Sequence, residues 1–73
     1  MLLVPVNSSD VYAWGYDPAT FELQIQFTNG RLYSYSNVTE EEFTALTMSP
    51  SKGAAFWYYI RRNPMAHQFV RLA

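Results

Sequence analysis

The sequence predicts an α+β fold, a three-stranded antiparallel meander followed by two helices, and three observations carry that prediction. Phe21, Leu23, Ile25 and Phe27 alternate strictly with Glu22, Gln24, Gln26 and Thr28, the period of a strand with one buried and one wet face. Asn29-Gly30 comes next, two residues that tolerate positive φ and mark a hairpin. Near Val38 the apolar period lengthens, and Thr39 and Glu42 stand at the spacing of a capping box.

The first predicted strand runs from Val11 to Tyr16, with Tyr12, Trp14 and Tyr16 alternating with Val11, Ala13 and Gly15, and Asp17-Pro18 turns the chain. After the second strand, Arg31 to Ser36 returns as the third. Its register depends on the loop. A two-residue loop pairs Leu32 with Phe27 and turns Tyr33 and Tyr35 to the wet side, beside Gln26 and Gln24. A three-residue loop ending in a glycine bulge places both tyrosines with Ile25 and Leu23 in the core, and the larger area buried favours this second register.

The first helix starts after Thr39, with Val38 and Phe43 at the two hydrophobic-staple positions, and stops before Ser49-Pro50. Glu40, Glu41 and Glu42 suit the positive end of its dipole, so capping explains them without any catalytic role. A second helix spans Ser51 to Arg62 and ends at Asn63-Pro64, with Phe56, Tyr59, Ile60 and Asn63 on one stripe. The tail from Met65 to Ala73 is either a fourth short strand through Phe69 to Leu72 or an ordered extension.

With 73 residues there is room for one domain over 1–73, and a domain of this size hides only about 60% of its unfolded surface. A deep, enclosed active site is hard to build at that scale. A hydrophobic fraction of 49% and an aromatic fraction of 18% supply a core without metal or disulfide staples. The absence of cysteine excludes a disulfide framework and thiolate metal sites and points to a reducing compartment, the cytoplasm. Met1 to Val6 lacks the features of a secretory signal, and no apolar run is long enough for a bilayer, so no membrane role is expected.

A formal net charge of −1 argues against nonspecific duplex binding. The charge is uneven, however. All six acidic residues precede residue 43, whereas Lys52, Arg61, Arg62 and Arg71 follow it.

Three groups of residues are candidates for binding. Ser51-Lys52-Gly53 opens the second helix, where free N–H groups attract anions, although a plain serine cap with a solvated lysine accounts for the same residues. Trp57 with Arg61 and Tyr58 with Arg62 are each four residues apart, off the Phe56/Ile60 stripe, and can hold a base or a protein surface by stacking and cation–π contact, unless the small sheet and tail wrap far enough to bury both rings. Tyr33 and Tyr35 can stack bases only in the wet register, with Arg31 nearby for phosphate. His67 lacks companions at ligand spacing and reads as a surface residue, so no metal is expected. No serine has a convincing base, no phosphate or dinucleotide loop is present, and neither a catalytic residue nor a cofactor is expected.

In order, Ser8-Ser9, Gly15-Tyr16-Asp17, Leu23, Phe27, Asn29-Gly30, Tyr33-Ser34-Tyr35, Val38, Ser51-Lys52-Gly53, Phe56 and Ile60-Arg61 form a series over about residues 8–64. The series resembles the KTSC domain, a module found at the C-terminus of some lysyl-tRNA synthetases and as a stand-alone protein. Thr39, Ala55 and Trp57 depart from the family's usual pattern. The resemblance implies RNA binding by association with a synthetase. The leading expectation is thus a non-enzymatic binding module for RNA or a nucleotide-like anion. A homo-oligomeric protein-interaction module is the alternative, since oligomerisation adds burial to a small chain. A phage-type counter-defence protein, sequestering a nucleotide immune signal between subunits, ranks behind both.

Overall fold

The computed structural model describes all 73 residues. Five strands form one antiparallel sheet in sequential order: β1 (Val4–Pro5), β2 (Val11–Asp17), β3 (Glu22–Phe27), β4 (Leu32–Tyr35) and β5 (Phe69–Arg71). Between β4 and β5 come α1 (Glu40–Met48) and α2 (Lys52–Phe56), the latter continuing as a π-helical turn over Trp57–Arg61. The architecture is α+β, as predicted, with two strands added. The tail takes its strand alternative. β1 was not expected from the sequence; its Pro5 is tolerated because this edge of the sheet needs no donor there.

β2 does not keep simple alternation. Val11 pairs with Phe27 and Ala13 with Gln26, so Tyr12 is bulged out. The bulge changes the phase, and Val11 and Trp14, three residues apart, both join the core while Tyr12 stays exposed. On β3 the alternation holds for Leu23 and Ile25, which are fully buried, but Phe21 falls before the strand, exposed and at φ 60°.

The β3–β4 hairpin has the three-residue loop. Phe27 donates to the Arg31 carbonyl at 2.9 Å, and Gly30 sits at φ 89°, the left-handed position a bulge of this kind requires. Leu23 pairs with Tyr35 and Ile25 with Tyr33. Tyr35 is therefore core, and Tyr33 is half-buried beside it. The wet face of the hairpin carries Glu22, whose carboxylate accepts from Ser34 Oγ at 2.6 Å and Gln24 Nε2 at 3.0 Å.

α1 begins as its sequence indicates. Thr39 Oγ1 accepts from Glu42 N–H, and the Glu42 carboxylate accepts from Thr39 N–H. Val38 and Leu46 are fully buried, and Phe43 stacks on Tyr16 with centroids 4.7 Å apart. The Tyr16 hydroxyl donates to the Val38 carbonyl. Burial first, and then the charges of Glu40, Glu42 and Asp17, push its pKa above the ordinary phenol value.

His67 corrects the sequence reading: it is buried, not on the surface. Its Nε2 lies 2.9 Å from the Glu42 carboxylate and its Nδ1 3.1 Å from the Ser36 carbonyl. One ring thus ties the segment before β5 to the start of α1 and the end of β4. Two residues later, β5 adds Phe69 against Tyr35 and Tyr33.

Candidate functional site

The second helix keeps only part of its predicted stripe: Tyr59 and Asn63 are exposed and Ala55 is buried instead. Phe56 and Ile60 are buried, whereas Trp57 is 56% and Tyr58 51% exposed. Arg62 lies over the Tyr58 ring, its Cζ 4.2 Å from the centroid, so this stacked pair forms as expected.

The other pair does not. Arg61, exposed overall, places its Cζ 5.8 Å from the Phe69 centroid, beside the Tyr35 hydroxyl. Burial raises the pKa of that hydroxyl, and Arg61 pulls it part of the way back. The neutral phenol and the Phe69 face together hold the guanidinium away from Trp57, whose ring is left uncovered. Sequence spacing could not show this, because β5 was only one of two readings of the tail.

Between the uncovered Trp57 and the sheet lies an open pocket of about 430 Å³, lined by Asp10, Val11, Phe27, Gly53, Ala54, Phe56, Trp57 and Arg61. This volume falls within the range of small-molecule sites. Its walls are aromatic, and it carries one carboxylate and one guanidinium. Neither charge is in a salt bridge, the sole ion pair of the protein being His67–Glu42. Trp57, Arg61 and Gly53 meet here as candidates. Asp10 and Phe27 were missed, since Asp10 reads as a strand flank and Phe27 as core.

The remaining candidates lie elsewhere. Ser51 caps α2, accepting from Ala54 N–H at 3.4 Å, and Lys52 Nζ donates to the Ser49 carbonyl at the end of α1. Both line a polar hollow with Asn7, Ser8 and Ser9 that adjoins the aromatic pocket, Asp10, Gly53 and Ala54 lining both. Asp10 Oδ2 stands 3.5 Å from where a Gly53 side chain would begin, so the start of α2 already faces a carboxylate. Tyr35 is only 1% exposed, which removes it as a stacking platform. Tyr33 packs edge-on against Phe27 at 5.7 Å and braces the pocket wall. Arg31 is exposed on the hairpin beside Phe27.

The KTSC domain family matches residues 7–63. The chain belongs to the KTSC domain family. The match coincides, within one residue at each end, with the stretch that carried the resemblance in sequence. The fold agrees as well: a crystal structure of a KTSC domain protein from Yersinia pestis superposes with a TM-score of 0.90 at 29% identity, covering 99% of this chain and 97% of that one. A protein of Tsukamurella paurometabola is 45% identical over 49 residues, 67% of this chain and 73% of its own length. An uncharacterized protein of Stutzerimonas stutzeri is 38% identical over 56 residues, 77% of this chain and 79% of its own length. In this KTSC domain the match ends at the close of the helix pair, so β5 and the Phe69 on which Arg61 rests lie beyond it. No helix is long and apolar enough to cross a membrane.

Proposed function

We propose that this KTSC domain is a non-enzymatic binding module for RNA or a nucleotide-like anion, acting in the cytoplasm. The observation that carries this reading is the uncovered Trp57 ring at the mouth of the aromatic pocket, with Arg61 on its lining and Arg62 stacked on neighbouring Tyr58. A base has a π-face for Trp57, and phosphate oxygens match the planar donor fork of a guanidinium. None of the four arginines has a carboxylate partner, which leaves their charge available to a ligand.

The test is equilibrium binding of a short single-stranded RNA at two salt concentrations. If Arg61 and Arg62 each neutralise one phosphate, the log–log salt slope is about −1.4, and affinity falls about sevenfold from 50 to 200 mM salt. Arg61→Ala with Arg62→Ala should abolish most of that dependence. Absence of binding to RNA and to mononucleotides at 50 mM salt defeats the reading.

A second reading, a homo-oligomeric interaction module, is favoured by β5. Gln68 and Leu72 use their backbone groups towards β4. By antiparallel alternation those of Phe69 and Arg71 point out of the sheet. This edge carries neither proline nor lysine, and Phe69, Val70 and Leu72 are exposed. Sedimentation at high micromolar concentration tests it, and a strict monomer excludes it.

A further inference from the structure

The charges of the aromatic pocket are of opposite sign and stand among apolar walls, which restricts the ligand further than the binding reading alone. Asp10 lines the pocket, and its carboxylate accepts no hydrogen bond from any protein group; its backbone is held on both sides, the N–H donating to Ser8 Oγ at 3.3 Å and the carbonyl accepting from Thr28 N–H at 3.0 Å. Ser8 Oγ also accepts from Val11 N–H at 3.4 Å, so a local turn fixes the backbone that presents the carboxylate. Gly53 opposite has no side chain, and a Cβ there would stand 3.5 Å from Asp10 Oδ2. The carboxylate thus lies close against the Gly53 backbone, and it reaches a ligand only from its pocket side.

We infer that the pocket takes a guanine nucleotide, with Asp10 reading the base, Trp57 stacking on it and Arg61 meeting its phosphate. This inference rests on the proposed binding function and names its substrate class. An ionised carboxylate only accepts hydrogen bonds, through two oxygens side by side. Guanine presents two adjacent N–H donors, N1–H and N2–H, on its Watson–Crick edge and satisfies both oxygens together. Adenine and cytosine set one donor beside a lone pair, and uracil flanks one donor with two carbonyl oxygens. Each of these three turns an acceptor towards the carboxylate. Such mismatches are the contacts by which polar sites discriminate most strongly.

A pocket of about 430 Å³ holds a base and its sugar. Phe27 and Phe56, whose rings meet edge-on at 5.7 Å, form an apolar floor opposite the Trp57 side. The shared chemistry is one guanine nucleotide, free or at an unpaired position of an RNA strand.

The experiment titrates the full chain with GMP, AMP, CMP, UMP and IMP at 50 mM salt, following the Trp57 indole resonance by NMR. GMP is expected to bind about tenfold or more tighter than AMP, CMP or UMP. IMP, which lacks the N2 amine, should lose most of that advantage without any change to the protein. Asp10→Asn, whose amide sets one donor beside one acceptor, should remove the preference of GMP over AMP. Equal binding of all the mononucleotides overturns the guanine assignment but leaves the module reading standing. No binding of any of them, or of RNA, overturns both. A pentamer with one central guanosine is the last arm. If it binds tighter than GMP, the guanine belongs to RNA; if it binds equally, to a free nucleotide. Both results support the assignment.

Discussion

Replacing His67 by alanine should unfasten the segment that carries β5. The ring is 5% exposed and lies 3.1 Å from the Ser36 carbonyl and 2.9 Å from the Glu42 carboxylate. Losing the neutral contact costs about 1 kcal/mol, and losing the one to a charged partner about 1.5–3 kcal/mol. The space left by the ring adds about 1 kcal/mol, for a total of about 3–5 kcal/mol. A chain of this length has about 4–11 kcal/mol in all. The variant should therefore melt at least about 12 °C lower, at 4–8 °C per kcal/mol. Urea and thermal melts followed by circular dichroism measure the loss. Glu42→Gln is the companion variant, since glutamine still serves the capping box while the charge facing His67 is removed. A double-mutant cycle should return a coupling of about 1 kcal/mol or more. A loss below about 1 kcal/mol for His67→Ala, or independent effects of the two changes, refutes the tie.

Gly15→Ala should displace the N-terminal residues, because the new Cβ would stand 2.7 Å from the Leu2 carbonyl oxygen and 3.0 Å from Met1 Cγ. A stability loss of about 1–3 kcal/mol with faster amide exchange over residues 1–5 is expected, and unchanged exchange would count against it. The Glu22 carboxyl titrates below its ordinary value, chiefly because Ser34 and then Gln24 donate to its charged form. With the folded value depressed, this group stabilises the fold above its unfolded pKa. That contribution fades as pH falls through the folded one. Ser34→Ala should move the Glu22 titration up towards the ordinary carboxyl value in a carbon-13 NMR titration. An unmoved titration would assign the shift to another cause.

How much of the molecule was legible in the sequence follows the range of the forces involved. The α1 cap and the alternation of Leu23 and Ile25 each depend on residues within four positions of one another, and both appear in the structure as read. The hairpin register was open between two loops, and burial of Tyr35 decided it, a tertiary effect on a local choice. Long-range features had no local signal. Nothing near His67 indicates Glu42, and nothing near Asp10 indicates Gly53, because the chain brings these pairs together only after the sheet and helices have packed. Arg61 shows the same limit. Spacing pairs it with Trp57, but Phe69, on a strand after the helix, draws it away.

Net charge misleads for a related reason. The chain is formally −1, yet its acids are distributed by structural duty. Glu42 holds a cap and faces His67, Glu22 is held by Ser34 and Gln24, and Glu40 and Glu41 stand in the first turn of α1. None of these lines the aromatic pocket, where Asp10 is the one acid and Arg61 the one base. The domain measures 27 × 25 × 22 Å, whereas exposed charges are screened over about 8 Å at physiological salt. A phosphate approaching Arg61 and Arg62 is therefore governed by the groups around the second helix, and carboxylates across the sheet contribute little. The pI describes how the molecule moves in a field. The unpaired arginines beside an uncovered indole carry the proposed binding, and in that proposal Asp10 selects the base.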